Sequence, residues 1–328
     1  MIALVTGANG FVGSHLVRAL LHDGWTVRAM VRKTSDLSLL QDVRCDFAYG
    51  DVTDPGSLDA AVSGADVIFH VAGAISSLTQ SGFDRINRDG TVNLVDACLK
   101  AAQPPRRFLL VSSIAAAGPA TRERRRTEHD EPKPVSMYGY SKLAGETALQ
   151  PLLGHIDTTI VRPPIVYGPG DTATLDLYTS VQQGVIPRVS GGDRPLSLIH
   201  AADLVRGMIL AATHSAAVGQ TFYLCGPEDR TMVEFQLEIA RQLSKKPIVL
   251  PIPLSVLRLA GEAAHQWQSF RGKPRPFGRD KVAEAVQESW AMDPTHAAET
   301  IGFQGAITLS EGIADAIAWY RSHGWLRA

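Results

Sequence analysis

Residues 6–13 read Thr6-Gly-Ala-Asn-Gly-Phe-Val-Gly13, between an apolar, β-type run at 2–5 and an amphipathic stretch at 11–23. Three glycines placed where a strand gives way to a helix do three jobs. Gly7 allows a tight turn, Gly10 lets backbone approach a pyrophosphate, and Gly13 lets the helix pack closely on the sheet. The helix N-terminus then aims its amide N–H groups and the positive end of its dipole at the phosphates. Asn9, Phe11 and Val12 lie in the same loop and complete the candidate cradle with Gly7 and Gly10. A glycine triplet alone is a weak signal; placed after the first strand and opening a helix it is strong. The spacing is GxxGxxG rather than GxGxxG.

Outward from this loop the first half of the chain alternates. Apolar strand-like runs at 26–31, 43–49, 67–71, 108–112 and 158–161 are separated by helical patterns such as 84–102 and 138–152. Continuous apolar strands joined by helices predict a parallel sheet covered on both faces, with right-handed crossovers. The expected architecture is a Rossmann-type, doubly wound α/β fold over 1–165, with return segments near 200–218 and 293–308. Residues 166–328 mainly form a smaller, interleaved α/β cap for substrate. Expected elements there are helices at 201–213, after Thr231, at 254–270 and at 309–323, and strands at 221–224 and 247–253.

The 328 residues include 32 Lys plus Arg against 33 Asp plus Glu, so no basic excess is available to hold a polyanion, and nucleic acid is not an expected partner. The three cysteines (Cys45, Cys98, Cys225) lie far apart, without a disulfide framework or a C-x-x-C pattern. A reducing, cytoplasmic location is expected. No charged segment precedes an apolar run at the start and no run of ~18 apolar residues occurs, so neither a signal peptide nor a membrane span is expected. The ten histidines show no H-x-x-x-H or mixed ligand cluster, so no metal is expected. The one dense charge run, Arg-Glu-Arg-Arg-Arg at 122–126, reads as a solvated loop.

The second strand ends without the acid that would hold the ribose 2′-hydroxyl of NAD. It offers Arg32 and Lys33, with Arg28 earlier on the same face. An arginine suits a 2′-phosphate, so NADP is expected, with NAD the alternative if Arg32 stacks on adenine or faces water. After the third strand, Asp51 can accept from the adenine amino group while Val52 supplies apolar contact; Asp51 or Thr53 capping the next helix is the structural alternative. Val71, Ala72 and Gly73 are small enough to let backbone lie against the cofactor, and His70 before them reads as a packed, hydrogen-bonded histidine.

Tyr138-Gly-Tyr-Ser-Lys142 opens a helix, and a spacing of four puts Tyr138 and Lys142 on one face. A free phenol titrates near ~10; a nearby ammonium and an oxidised nicotinamide would lower it, fitting Tyr138 to exchange a proton with a hydroxyl while hydride moves. Lys142 can also donate to the nicotinamide ribose. The strand ending in Leu110-Val-Ser-Ser places Ser112 and Ser113 where open α/β sheets put their chemistry, and either hydroxyl can steady a substrate oxygen.

The ordered set TGANGFVG, GDVTD, HVAGA, NRDGTVN, VSSIAAAG, YGYSK, RPPIVYGPGD and LIHAAD resembles the extended short-chain dehydrogenase/reductases, the NAD-dependent epimerase/dehydratase family, over essentially the whole chain. The resemblance implies a catalytic trio of Ser113, Tyr138 and Lys142. It implies cofactor contacts at the residues above and at Pro163, Ile165 and Val166, and a positioning role for Asn87. It also implies a homodimer through the helices at 84–100 and 138–152. Sugar-nucleotide epimerases and dehydratases carry an Asn where this chain has Ile165, and RPPIVYGPGD looks more like the 3β-hydroxysteroid dehydrogenase and dihydroflavonol reductase branches. The implied activity is an NADP-dependent interconversion of secondary alcohol and ketone on a hydrophobic, steroid-like small molecule. The alternatives are a nucleotide-sugar epimerase or dehydratase with tightly bound NAD, and a non-catalytic dinucleotide sensor. Leu175, Leu177, Tyr178, Val185, Ile186, Leu254, Leu257, Trp267 and Phe270 either line the substrate site or form the cap's own core.

Overall fold

The computed structural model describes residues 1–192 and 194–326. In chain order the elements begin β1 (Ile2–Thr6), α1 (Phe11–His22), β2 (Thr26–Val31), β3 (Asp46–Tyr49), α2 (Asp59–Val62), β4 (Val67–His70), α3 (Gln80–Asn87) and α4 (Asp89–Lys100). They continue through β5 (Arg107–Val111), α5 (Ile114–Ala117), α6 (Met137–Thr147), β6 (Asp157–Val161), β7 (Ile165–Tyr167), α7 (Leu175–Gln182), β8 (Val185–Val189) and β9 (Leu196–His200). The last are α8 (Ala201–Thr213), β10 (Thr221–Phe222), β11 (Asp229–Arg230), α9 (Met232–Gln242), β12 (Ile248–Ile252), α10 (Leu254–Arg271), α11 (Arg279–Ala285), α12 (Thr295–Ile301) and α13 (Leu309–Ser322).

Seven parallel strands form the main sheet in the order β3-β2-β1-β4-β5-β6-β10. Every residue of β4 and β5 is buried, the mark of strands covered on both faces. One face packs α1, α8 and α12 over Val5, Phe69 and Leu109; the other packs α2 and α4 over Leu4, Ile68 and Phe108. The strand order reverses between β1 and β4, and the crevice beyond their carboxyl ends is the place where such sheets bind ligands. A third core, around Tyr167, Tyr178, Phe235, Ile313 and Tyr320, joins β7, β9, α7, α9 and α13. Asp203 on α8 accepts the backbone N–H groups of Ala306 (2.7 Å) and Ile307 (2.8 Å), stitching the segment before α13 to the main sheet's layer.

Several elements differ from expectation for local reasons. The helix expected over 84–102 is two helices that meet at Arg88, where Thr91 Oγ1 donates to the Asn87 carbonyl (2.8 Å); such back-bonding bends helices. The helix expected over 138–152 stops at Thr147 because Pro151 cannot continue it, and a 3₁₀ turn, Gln150–Leu152, follows. The charge run at 122–126 is not simply solvated. Arg126 is buried and donates to the carbonyls of Pro119 (3.2 Å) and Glu131, and Arg125 pairs with Asp229 at 2.8 Å.

Candidate active site

The cradle is built by close approach. Gly7 has φ of +65°, and a Cβ there would lie 2.9 Å from Ala72 N; a Cβ on Gly13 would lie 2.2 Å from Gly7 O. The loop therefore needs glycine at both positions. Helix α1 starts after Gly10 with no side-chain cap and no acid in its first turn. Its first N–H groups thus face the crevice at the positive end of the helix, a setting that fits a dinucleotide's pyrophosphate. Asn9 Nδ2 donates to Asp36 O (3.1 Å), which ties the glycine loop to the turn after β2. Arg32 and Lys33 stand exposed in that turn, which is closed by Ser35 N donating to Arg32 O (2.9 Å). Arg28, by contrast, is committed elsewhere: its Nη1 donates to Ala61 O and Ser63 O, both at 2.7 Å, so it holds the end of α2 and is not available to a phosphate.

Asp51 Oδ1 accepts from Thr53 N (2.9 Å) and Thr53 Oγ1 (2.8 Å), and Val52 is buried beneath α4 with its carbonyl accepting from Asn93 (2.8 Å). Phe11 and Val12 are half-buried in the first turn of α1. Pro163 is buried and its carbonyl accepts from Ile114 N (3.1 Å), while Ile165 and Val166 are half-buried in β7.

At the end of β4, Val71 N and Ala72 N both donate to Thr6 Oγ1 (3.1 Å each). The Thr6 proton is then free for His70 Nδ1 at 2.8 Å, and His70 Nε2 lies 3.1 Å from Thr91 Oγ1, whose own proton goes to Asn87 O. His70 is therefore neutral with its proton on Nε2. Burial, with the Lys142 charge nearby, pushes it down to about 3. Gly73 follows, where a Cβ would stand 3.1 Å from Asn87 Oδ1 and 3.5 Å from Lys142 Nζ. Asn87 binds Ala74 through both N–H (2.8 Å) and carbonyl (3.0 Å) and donates to Ser141 Oγ (2.8 Å). One side chain thus holds the β4 exit loop to α6.

Ser113 caps α5, its Oγ accepting from Ala115 N at 3.1 Å, and its hydroxyl is near enough to the Tyr138 phenol to act on it. Ser112, on the other side of the strand, donates to Glu146 (2.5 Å), which also receives Arg162 in a buried, bidentate pair (2.8 and 2.6 Å). Lys142 is buried and donates from Nζ to Val111 O at 2.7 Å; burial pulls it down to about 8, against the opposing pull of Glu146. The lowering expected for Tyr138 is not what this arrangement produces. Burial pushes its phenol up to about 12, Ser113 opposes that, and Glu284 adds to it.

Two site residues lie outside the sequence reading. Asp280 accepts from the N–H groups of Met137 (2.5 Å) and Tyr138 (3.2 Å), and Glu284 receives Ser136 Oγ (2.7 Å) while Ser136 caps Gly139 N (3.0 Å). Carboxylates at a helix N-terminus satisfy its free donors and its dipole. Their spacing of four on α11 was the available signal, but nothing local says which element that face meets. Of the apolar residues expected either to meet substrate or to form core, Tyr178, Ile186 and Leu257 are buried in packing, whereas Trp267 and Phe270 point outward and do not line this site.

The family profile described as NAD dependent epimerase/dehydratase family matches residues 3–226. Ceramide reductase of Caulobacter vibrioides (strain NA1000 / CB15N) is 34% identical, over 99% of this chain and 96% of its own. UDP-glucose 4-epimerase of Vibrio cholerae is 28% identical, over 94% of this chain and 92% of its own. The crystal structure of gox2253 superposes with a TM-score of 0.82 at 25% identity, covering 99% of both chains.

Proposed function

The chain belongs to the NAD-dependent epimerase/dehydratase family and is an NAD(P)-dependent enzyme of the extended short-chain dehydrogenase/reductase type; from that premise we propose that it interconverts a secondary alcohol and a ketone on an apolar substrate, with NADP as cofactor. The nearness of the Ser113 hydroxyl to the Tyr138 phenol carries this reading, because it gathers a proton carrier and an oxygen-binding hydroxyl at the carboxyl end of β5. In the reducing direction Tyr138 gives its proton to the ketone oxygen while Ser113 donates to the same oxygen and steadies its growing charge; in the oxidising direction Tyr138 takes the proton back. Lys142 keeps a buried ammonium at the helix face it shares with Tyr138 and would hold the nicotinamide ribose. Gly7, Gly10 and the first turn of α1 would hold the pyrophosphate, and the exposed Arg32 the 2′-phosphate. When bound, the nicotinamide supplies or accepts the hydride.

Likeness to a ceramide reductase makes a ceramide-type lipid ketone the first substrate to test. The assay follows NADPH consumption with that ketone in the parent protein and in Tyr138→Phe. A loss of turnover of about a thousandfold, with NADPH affinity within about twofold, is expected; full turnover in Tyr138→Phe overturns the assignment. The relative from Vibrio favours one rival. Retained NAD in the isolated protein, with a UDP-sugar epimerised without added cofactor, would replace the proposed reaction with epimerisation.

A further inference from the structure

Helix α10 buries one edge and bares another. Gly261 abuts Val282 of α11, and buried Gln268 donates to Phe277 O (2.6 Å) while accepting from Arg275 N (2.8 Å), so the helix and the loop after it form one braced unit. Val256, Leu259, Ala260, Ala263, Trp267 and Phe270 recur at intervals of three and four and so share the outer face. Leu259 is 73% exposed, Trp267 59% and Phe270 84%, and Phe277 in the loop is 46% exposed. That stripe runs roughly 21 Å along the axis, far from the scattered apolar residues of an ordinary surface.

The border of the stripe is basic. Residues 263–279 hold Arg271, Lys273, Arg275 and Arg279 and no acid. Arg279 is paired with Glu262 (2.7 Å), whereas Arg258, Arg271, Lys273 and Arg275 make no ion pair among the described residues. The Arg271 guanidinium lies 4.8 Å from the centre of the Trp267 ring, so cation and aromatic sit together at the end of the stripe.

We propose that the outer face of α10 and the loop that follows it dock on the surface of an anionic lipid bilayer. Leucine and phenylalanine enter the acyl boundary, Trp267 sits at the headgroup level, and Arg271, Lys273 and Arg275 meet lipid phosphates. Charge selects lipid over a second copy of the chain. A two-fold contact through this face would bring the two basic borders together with no acid in 263–278 to answer them. Docking also has a consequence for the site, because α11, braced to α10, carries the Asp280 and Glu284 that hold the first turn of α6. The surface does not depend on which reaction the site performs.

The test is co-sedimentation of the full chain with vesicles of phosphatidylcholine, with and without phosphatidylglycerol. Binding to the anionic vesicles is expected, with Trp267→Ser/Phe270→Ser reducing it at least about tenfold. An Arg271→Gln/Lys273→Gln/Arg275→Gln variant is expected to bind the two vesicle types equally and to lose the salt sensitivity of the parent. Both changes lie on exposed side chains, and an unchanged melting temperature checks each fold. No binding to anionic vesicles, or equal binding by the serine variant, overturns the proposal. So does a dimer in the parent that the serine variant dissolves, which would assign the face to a second copy.

Discussion

Asp280 and Tyr138 lie 142 residues apart in the chain, yet the Asp280 carboxylate accepts the Tyr138 backbone N–H at 3.2 Å. With Met137 N at 2.5 Å on the same carboxylate, a residue of α11 sets the first turn of the helix that carries the candidate proton donor. Loss of an N-terminal acceptor costs about 1 kcal/mol and frees that turn to shift. Asp280→Ala is expected to lower turnover about tenfold, because misplacement near the reacting atoms is expensive in rate. Cofactor affinity should stay nearly unchanged. Steady-state kinetics beside a thermal melt checks this; parental turnover would disconnect α11 from the site.

Lys142 links the site to pH. Its ammonium is held down to about 8 by burial, against an ordinary value near ~10.5 in the unfolded chain. Between these values the unfolded chain binds the proton and the native chain does not, so stability gained from this group rises with pH across the window and is lost as pH falls through 8. Relative to Lys142→Met, the parent should gain up to about 3 kcal/mol from pH 8 to 10.5. Denaturant titrations at both ends measure it, and a difference of the opposite sign would sink the account.

Arg28 lies within β2 and Arg32 just beyond its end, and the two have different work. Arg32 stands exposed in the turn tied to the glycine loop, whereas Arg28 is spent on the carbonyls of Ala61 and Ser63. Arg32→Ala is expected to weaken NADPH binding by about ten- to a hundredfold while leaving NADH unchanged, as loss of a charge-assisted bond to a 2′-phosphate requires. Arg28→Ala should leave that preference alone and lower stability. Isothermal titration with both nucleotides separates the two; equal weakening of NADPH and NADH by Arg32→Ala would remove the 2′-phosphate role.

Glu146 and Arg162 form a buried, bidentate pair that also takes the Ser112 hydroxyl. Removing one partner strands a charge in the interior, at about 3–5 kcal/mol. Glu146→Leu should fall in that range by chemical denaturation, and the double replacement Glu146→Leu/Arg162→Met should recover much of it. A single variant as stable as the parent would show that the charge finds water.

The sequence by itself determined what depends on neighbours in the chain. Glycines at 7, 10 and 13 between an apolar run and an amphipathic one specify a strand, a tight turn and an uncapped helix start. The alternation of strands and helices specifies a parallel sheet, and Tyr138 and Lys142 share a face because helical geometry repeats every 3.6 residues. Just beyond β5, extended backbone turns Ser112 and Ser113 to opposite sides, Ser112 toward Glu146 and Ser113 toward Tyr138. Local signals also faltered locally, at Arg88 and Pro151, where a back-bonded threonine and a missing donor broke helices that the apolar pattern had run together.

Only the tertiary structure decided what each face meets. Asp280 and Glu284 stand on one side of α11, but nothing near them in the chain says that this side abuts the start of α6. Periodicity grouped Arg28 with Arg32, and it listed Trp267 with Leu257 as candidate substrate contacts, although one turns to solvent and the other to the core. Arg126 read as one charge in a solvated run, yet it is buried between Pro119 and Glu131. In each case the deciding partner lies on another element or loop. Propensity and spacing act within about a helical turn, whereas the burial and charge that set these roles come from chain brought back by the fold.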